Sequence, residues 1–187
     1  MKGRLATLLV HLCLAALLTP LLGAFWMQFG RGEFPCPLCI LQRMSMLLAA
    51  LGPAWILFRA KEGPVSATDL ATGAGMTVAA SVVGLAVAVR QVLLHIVPPD
   101  PGYGAPVLGL HLYTWSVLIF VASLGVSGAG LLFTRELAAQ GVRFGRLSRL
   151  LLGLLAALIL ANALAVFAEE GFHLFLPDDP VRYELFH

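Results

Sequence analysis

The sequence predicts an all-α, polytopic membrane protein that folds as a helical bundle. Of its 187 residues, 59% are hydrophobic and only 12% are charged, and the mean hydropathy is +0.90. Soluble domains contain about twice that share of charged residues. Five apolar runs are each long enough to cross about 30 Å of hydrocarbon as a helix. These runs are residues 5–26, 40–58, 71–89, 112–133 and 150–168. We therefore expect a single membrane domain, residues 1–187, in a lipid bilayer.

The individual runs have features of packed transmembrane helices. The first has a longer apolar core than the roughly 7–15 residues of a signal peptide, so we expect it to be retained. The second contains Pro53, which membrane helices tolerate when neighbours compensate for the lost hydrogen bond. The third places Ala80, Gly84 and Ala88 at four-residue spacing, which lets helices approach closely. Trp115, near the start of the fourth run, is typical of a membrane interface.

The distribution of basic residues predicts the orientation. With five spans, one side of the membrane contains most of them: Lys2, Arg4, Arg59, Lys61, Arg135, Arg143, Arg146 and Arg149. The positive-inside rule makes that side cytoplasmic, so the N-terminus is expected inside. The outer side then consists of two short loops, 27–38 and 98–109, and a tail, 169–187. The net charge of +2 is consistent with this orientation and does not favour nucleic-acid binding.

The most informative motif is EFPCPLCILQR, which contains two cysteines three residues apart at the outer start of the second span. Pro37 suits the first turn of a helix. Cys39 would lie in that turn, where free N–H groups and the helix dipole favour a thiolate. Arg43, four residues later, shares its helix face and adds positive potential. An arginine at this depth needs a partner or a wet cavity. The motif therefore predicts a redox dithiol, Cys36 and Cys39, facing an electron acceptor beside Arg43.

Other interpretations of the motif remain open. A pair of cysteines at this spacing also occurs in structural disulfides and as half of a zinc site. Zinc requires four ligands, and the chain has no second such pair and no HxxxH spacing among its five histidines, so no metal is predicted. Arg43 could also extend towards the interface with no further role.

The run CPLCILQR resembles the signature of the disulfide-bond formation protein B (DsbB) family. These inner-membrane enzymes reoxidise DsbA, a periplasmic thiol oxidant, and pass the electrons to quinone. The resemblance extends to an Arg-Gln pair and LLHIVPP after the third span, and to GLHLYTW at the start of the fourth. It implies a four-helix DsbB-like core in a bacterial inner membrane, to which the fifth apolar run adds a transmembrane helix. With five spans and a cytoplasmic N-terminus, the C-terminus is expected in the periplasm.

The resemblance also implies roles for individual residues. Cys36 and Cys39 would be the quinone-coupled pair, and Arg43 the arginine that binds ubiquinone or menaquinone. A thiolate of a DsbA-like periplasmic partner would attack Cys36, expected to be nearer water, and release Cys39 to reduce a quinone from the membrane pool. The candidates for further hydrogen bonds to quinone are Gln42, Gln91, His95 and His111, of which the two histidines are favoured.

Two features differ from the best-known members of the family. Those members have four spans and carry a second cysteine pair in the second outer loop. Here that loop, PPDPGYGAPVLG, has no cysteine, nor does the tail, and Cys13 lies within the first span. Two alternative functions therefore remain: a quinone- or haem-binding subunit with His95 and His111 as axial ligands, and a redox-inactive scaffold.

Overall fold

The computed structural model of the chain describes residues 4–173 and 179–186; residues 174–178 and 187 of the predicted outer tail lie outside the described residues. The described part is helical and contains six α-helices. They are α1 (Arg4–Phe25), α2 (Pro37–Glu62), α3 (Ala67–Leu94), α4 (Leu112–Leu132), α5 (Thr134–Gln140) and α6 (Arg146–Glu170). A π-helical turn, Trp26–Gly30, continues α1, and a short 3₁₀ turn, Glu184–Phe186, follows later.

All of these α-helices except α5 are long and apolar enough to cross a membrane. Their outward faces are apolar, as a lipid environment requires. Examples of such exposed side chains are Leu8, Leu12, Val82, Val83, Val121, Leu160 and Leu164. The predicted all-α, polytopic fold class is therefore confirmed.

Helices α2, α3 and α6 begin and end outside the predicted apolar runs, whereas α1 and α4 agree with their runs to within one residue at each end. Helix α2 begins at Pro37 because Cys36 caps it, and α3 begins after a capping box formed by Ser66 and Asp69. Hydropathy locates the part of a helix that crosses hydrocarbon, whereas capping side chains set its first turn. The π-helical turn Trp26–Gly30 occupies the start of a stretch predicted as outer loop.

Helix α2 lies at the centre of the bundle. In its most apolar stretch 72% of residues are buried, against 11–33% in the other four long helices. It packs against α3, which in turn packs against α4. Small residues allow both contacts: a Cβ atom on Gly73 would lie 2.6 Å from the carbonyl oxygen of Gly52, and the ring of Phe120 packs against Gly84. Helix α2, which contains Cys39 and Arg43, is therefore fixed in position by its packing against neighbouring helices.

Side-chain contacts connect distant segments of the chain at both ends of the bundle. At the end that contains Cys36, here called the cysteine end, the Tyr103 hydroxyl donates to the Phe34 carbonyl oxygen at 2.8 Å. The Tyr183 ring also packs edge-on against Phe34, with ring centroids 4.9 Å apart. At the opposite end, His11 Nε2 and Ser148 Oγ are 2.9 Å apart and join α1 to α6.

Candidate redox site

The two cysteines lie at the N-terminus of α2, close enough to form a disulfide. Cys36 is the N-cap residue, and its Sγ accepts a hydrogen bond from the backbone N–H of Cys39 at 3.2 Å. Pro37 occupies the first helical position, where a missing N–H has no cost. The two Sγ atoms are 2.6 Å apart, so a disulfide bond requires only a small movement. The free N–H groups of the first turn stabilise negative charge on either sulfur.

A pair of glutamines connects the sulfurs to α3. Gln91 Nε2 lies 3.2 Å from Cys36 Sγ and 3.4 Å from Cys39 Sγ. Gln42 Nε2 donates to Gln91 Oε1 at 2.6 Å. Both glutamine side chains are buried. Because Gln42 occupies the oxygen of the Gln91 amide, the amide nitrogen is directed at the sulfurs and can stabilise a thiolate.

Cys36 is less accessible than the sequence suggested, with only 6% of its surface exposed. The second outer loop folds over the segment before it, since Ala105 N donates to Glu33 Oε2 at 3.1 Å and Tyr103 binds the Phe34 carbonyl. Burial raises the pKa of Tyr103, which keeps its hydroxyl a donor. The hydrogen bond with Cys39, together with burial, raises the pKa of Cys36. In the reduced pair, Cys36 therefore remains a thiol at neutral pH.

Arg43 is buried and bound to the end of α1. Its side chain is 7% exposed. Its Nη1 donates to Gln28 Oε1 at 2.6 Å, and its Nη2 donates to the Ala24 carbonyl oxygen at 3.2 Å. The guanidinium carbon lies 5.4 Å from the ring centroid of Phe25, a cation–π distance. The side chain is thus held inside the bundle instead of extending to the interface.

A cavity of about 650 Å³ lies beside Cys39, Gln42 and Arg43. Its walls come from α1, α2, the start of α4 and the segments around Phe34 and Tyr103, and they are mainly apolar. Ligand cavities of about 300–1,000 Å³ with few polar groups are typical of small-molecule sites. Only two of the five N–H groups of the Arg43 guanidinium are used, one by α1 and one by the π-helical turn that follows it. An apolar ring with a carbonyl oxygen, such as a quinone, fits this combination.

The two predicted histidines lie outside this cavity. His95 Nδ1 is 2.9 Å from Asp100 Oδ2, and His111 Nδ1 is 3.1 Å from the Gly104 carbonyl oxygen. Both rings stack on Tyr113, which does line the cavity. Gln91 likewise contacts the sulfurs and is not part of the lining. Among the residues that the structure describes, no group of three or more His, Cys, Asp or Glu side chains is arranged to hold a metal ion.

Comparison with known proteins identifies the family. The family model described as "Disulfide bond formation protein DsbB" matches residues 6–105, which is more than half of the chain and includes Cys36, Cys39 and Arg43. The chain belongs to the DsbB family. The match covers most of α1, all of α2 and α3, and the following loop as far as residue 105, whereas α4 to α6 lie beyond it.

Several proteins named "Disulfide bond formation protein B" are similar to the chain. The relative from Chromohalobacter salexigens is 43% identical over 77 residues, which cover 41% of this chain and 43% of the relative. The relative from Chromobacterium violaceum is 37% identical over 99 residues, covering 51% and 57%. "Disulfide bond formation protein B 1" from Pseudomonas fluorescens is 50% identical over 50 residues, 27% of each chain. The matches thus span about half or less of these relatives. No solved structure matches significantly.

Sequence reasoning missed two buried polar residues near the site. Gln28, in the π-helical turn, is 2% exposed, and Glu169, near the end of α6, is 0% exposed. The Gln28 Nε2 atom donates to Glu169 Oε2 at 3.3 Å. Each residue lies at the end of an apolar run, where a polar side chain is ordinarily attributed to the interface. Glu169 could have been found from the sequence by the general rule that an ionisable residue within a membrane helix is functional by default.

Proposed function

We propose that this protein is a membrane thiol:quinone oxidoreductase. It passes electrons from a partner dithiol through the Cys36–Cys39 disulfide to quinone and so forms disulfides outside the cytoplasm. The observation that supports this most directly is that Cys39 Sγ lies 2.6 Å from Cys36 Sγ, close enough to form a disulfide after a small movement, and that Cys39 also lines the apolar cavity beside Arg43. Cys39 can therefore take part both in thiol–disulfide exchange and in quinone reduction. Membership of the DsbB family supports the same chemistry.

The first half-reaction is thiol–disulfide exchange. A partner thiolate attacks Cys36 Sγ, a mixed disulfide forms, and the Cys36–Cys39 bond breaks with Cys39 leaving as a thiolate. The positive N-terminal end of the α2 dipole and the Gln91 amide, whose Nε2 lies 3.4 Å from Cys39 Sγ, stabilise that leaving group. The second partner thiol then displaces Cys36, so the partner leaves oxidised and the cysteine pair is reduced by two electrons. Because Cys36 is 6% exposed, the loop around Tyr103 must move for a protein to reach it.

The second half-reaction restores the disulfide. A quinone bound in the cavity supplies an acceptor of two electrons and two protons. Cys39 is the sulfur that delivers the electrons, since it lines the cavity. The remaining N–H donors of Arg43 stabilise negative charge that develops on a quinone oxygen. The apolar walls exclude water from this step. When the two thiols have released two electrons and two protons, Cys36 and Cys39 are again joined.

The proposed setting is a bacterial inner membrane with the cysteine end in the periplasm. The basic residues cluster at the opposite end of the bundle, which supports a cytoplasmic N-terminus and a periplasmic C-terminus. A DsbA-like periplasmic oxidoreductase is the proposed thiol partner, and ubiquinone or menaquinone from the membrane pool is the acceptor. Since the second outer loop, 98–109, has no cysteine, the partner must exchange directly with the Cys36–Cys39 disulfide.

Quinone reduction by the purified protein tests this proposal. In detergent or nanodiscs, stopped-flow absorbance should report quinone reduction slowly with a small dithiol and faster with a DsbA-like protein. Cys36→Ala and Cys39→Ala should each abolish turnover, and Cys13→Ala is the matched control that should retain it. Turnover that survives either of the first two changes contradicts the proposal, and a redox-inactive scaffold shows no turnover at all. A requirement for a second cysteine-bearing protein, with small dithiols never replacing it, would instead identify half of a split relay.

Trapping the partner gives an independent test. In Cys39→Ala, Cys36 has no internal thiol to resolve a mixed disulfide, so a physiological partner should remain covalently attached and be identifiable by mass spectrometry. Cys36→Ala/Cys39→Ala should trap nothing. Absence of any Cys36 adduct under oxidising growth counts against a protein partner.

A further inference from the structure

Glu169 faces Arg43 across a single side-chain amide. Its Oε2 accepts a hydrogen bond from Gln28 Nε2 at 3.3 Å, and Gln28 Oε1 accepts one from Arg43 Nη1 at 2.6 Å. The three side chains connect α6, the π-helical turn after α1, and α2. Each is at most 7% exposed. They form a continuous buried polar chain that ends at the cavity, since Arg43 is part of the cavity lining.

Neither end of this chain has a direct opposite charge. Among the described residues, Arg43 is absent from the ion pairs, and Glu169 Oε1 has no hydrogen-bond partner. A buried charge is costly unless another charge or several hydrogen bonds compensate for it. The carboxylate and the guanidinium attract each other through the intervening amide. The amide-bridged pair therefore offsets part of the cost of burying both groups.

The same arrangement determines which way the Gln28 amide points. An ionised carboxylate only accepts hydrogen bonds and a guanidinium only donates them. Glu169 can therefore accept a hydrogen bond only from the Nε2 atom of Gln28. The Oε1 atom of Gln28 is then free to accept a hydrogen bond from Arg43. Without this constraint the Gln28 amide can rotate and present N–H groups to a cation. A second acceptor, the Ala24 carbonyl oxygen, binds Arg43 Nη2 at 3.2 Å, so the guanidinium is held from two sides.

We propose that Glu169 is a positioning residue of the quinone site. It orients the Gln28 amide and balances the charge of Arg43, so that the unused N–H donors of the guanidinium are presented to the cavity. Glu169 lies in α6, outside residues 6–105 that match the DsbB family, so the fifth membrane helix completes the site instead of only covering it. This inference rests on the proposed quinone reaction.

Glu169→Gln tests the role because it keeps the shape of the side chain and removes its charge. We expect the KM for quinone to rise about tenfold, in line with the energy of a hydrogen bond to a charged group. Reduction of the Cys36–Cys39 disulfide by dithiothreitol without quinone should stay close to its wild-type rate, because Glu169 is separated from the sulfurs by Gln28 and Arg43. Glu170→Gln, one residue later on the same helix, is the matched control and should leave both rates unchanged.

An exchange of the two side chains provides the sharper test. Gln28→Glu/Glu169→Gln moves the carboxylate next to Arg43 and keeps the number of side-chain atoms, so the KM for quinone should return close to the wild-type value. A wild-type KM in Glu169→Gln, or a stably folded exchange variant with no recovery, overturns the inference. An equal loss in both half-reactions with a lower Tm indicates a merely structural role and also overturns it. If Arg43→Ala changes the KM and Glu169→Gln does not, only this inference fails; if neither does, the proposed function fails with it.

Discussion

Gln42 and Gln91 are joined by a 2.6 Å hydrogen bond between their side-chain amides. The bond links α2 to α3 and leaves the nitrogen of Gln91 directed at both sulfurs of the cysteine pair. The reduced pair is therefore bound by a helix N-terminus on one side and by an oriented amide on the other. The first prediction tests this arrangement.

Gln91→Leu removes the amide that contacts both sulfurs. Hydrogen bonds to charged groups contribute about 1.5–3 kcal/mol, so the rate of quinone reduction should fall by about tenfold or more. Gln42→Leu keeps that amide and loses only its orientation, so its effect should be smaller. The exposed neighbour Arg90 supplies the control Arg90→Gln, with wild-type turnover. Equal rates for Gln91→Leu and the control would show that the amide has no role in stabilising the thiolate.

Alkylation of the reduced pair should be selective. The hydrogen bond with Cys39 and burial raise the pKa of Cys36, so Cys36 stays protonated at neutral pH and becomes reactive only as the pH rises. One equivalent of iodoacetamide at pH 7 should therefore modify Cys39, which a mass spectrum of the peptides reveals. The Cys13→Ala background removes the third thiol. Preferential modification of Cys36 at pH 7 would be incompatible with this description.

Arg43→Ala should weaken quinone binding because the cavity loses its charged donor. We expect the KM for quinone to rise by about tenfold or more, because hydrogen bonds to an ionised donor are about twice as strong as those between neutral groups. Arg43→Lys should recover only part of the affinity because lysine lacks the planar fork of donors. Stopped-flow quinone absorbance measures both, with Arg182→Ala, an exposed cation, as control. Unchanged quinone kinetics in Arg43→Ala would eliminate the assigned role.

Gly73→Ala should destabilise the contact between α2 and α3. Its Cβ atom would lie 2.6 Å from the Gly52 carbonyl oxygen and from the Ile56 side chain, and such overpacking costs about 1–3 kcal/mol. Gly75→Ala is the matched control, because a Cβ atom there has no neighbour within 4 Å. Thermal unfolding in detergent should show a lower Tm for Gly73→Ala alone. A Tm equal to that of the control would mean that this helix contact is looser than described.

Reporter fusions should give opposite results at the two ends of the bundle. A reporter inserted after Gly63, between α2 and α3, should be active only in its cytoplasmic form, and one fused after His187 only in its periplasmic form. The cation distribution is the reason for this expectation. The reverse pattern would place the cysteine pair in a reducing compartment and remove the basis for oxidase activity.

The features that the sequence determined by itself are local or compositional. Hydropathy identified the membrane helices because a hydrocarbon environment demands long apolar runs. The positions of Cys36, Pro37, Cys39 and Arg43 relative to one another follow from their spacing within a single helix. The family resemblance, confirmed by comparison, also depends on this short run.

The tertiary structure decided which distant side chains meet that helix. Gln91 reaches the sulfurs from 52 and 55 residues away, and Glu169 reaches Gln28 from 141 residues away. His95 and His111, which the sequence predicts as quinone ligands, stack on Tyr113, a residue of the cavity wall. All of these residues lie near one end of the bundle, so membrane depth cannot distinguish them. The rotation and packing of each helix determine which side chains meet. Rotation and packing in turn depend on contacts between residues far apart in the chain, such as Gly52 with Gly73 and Gly84 with Phe120.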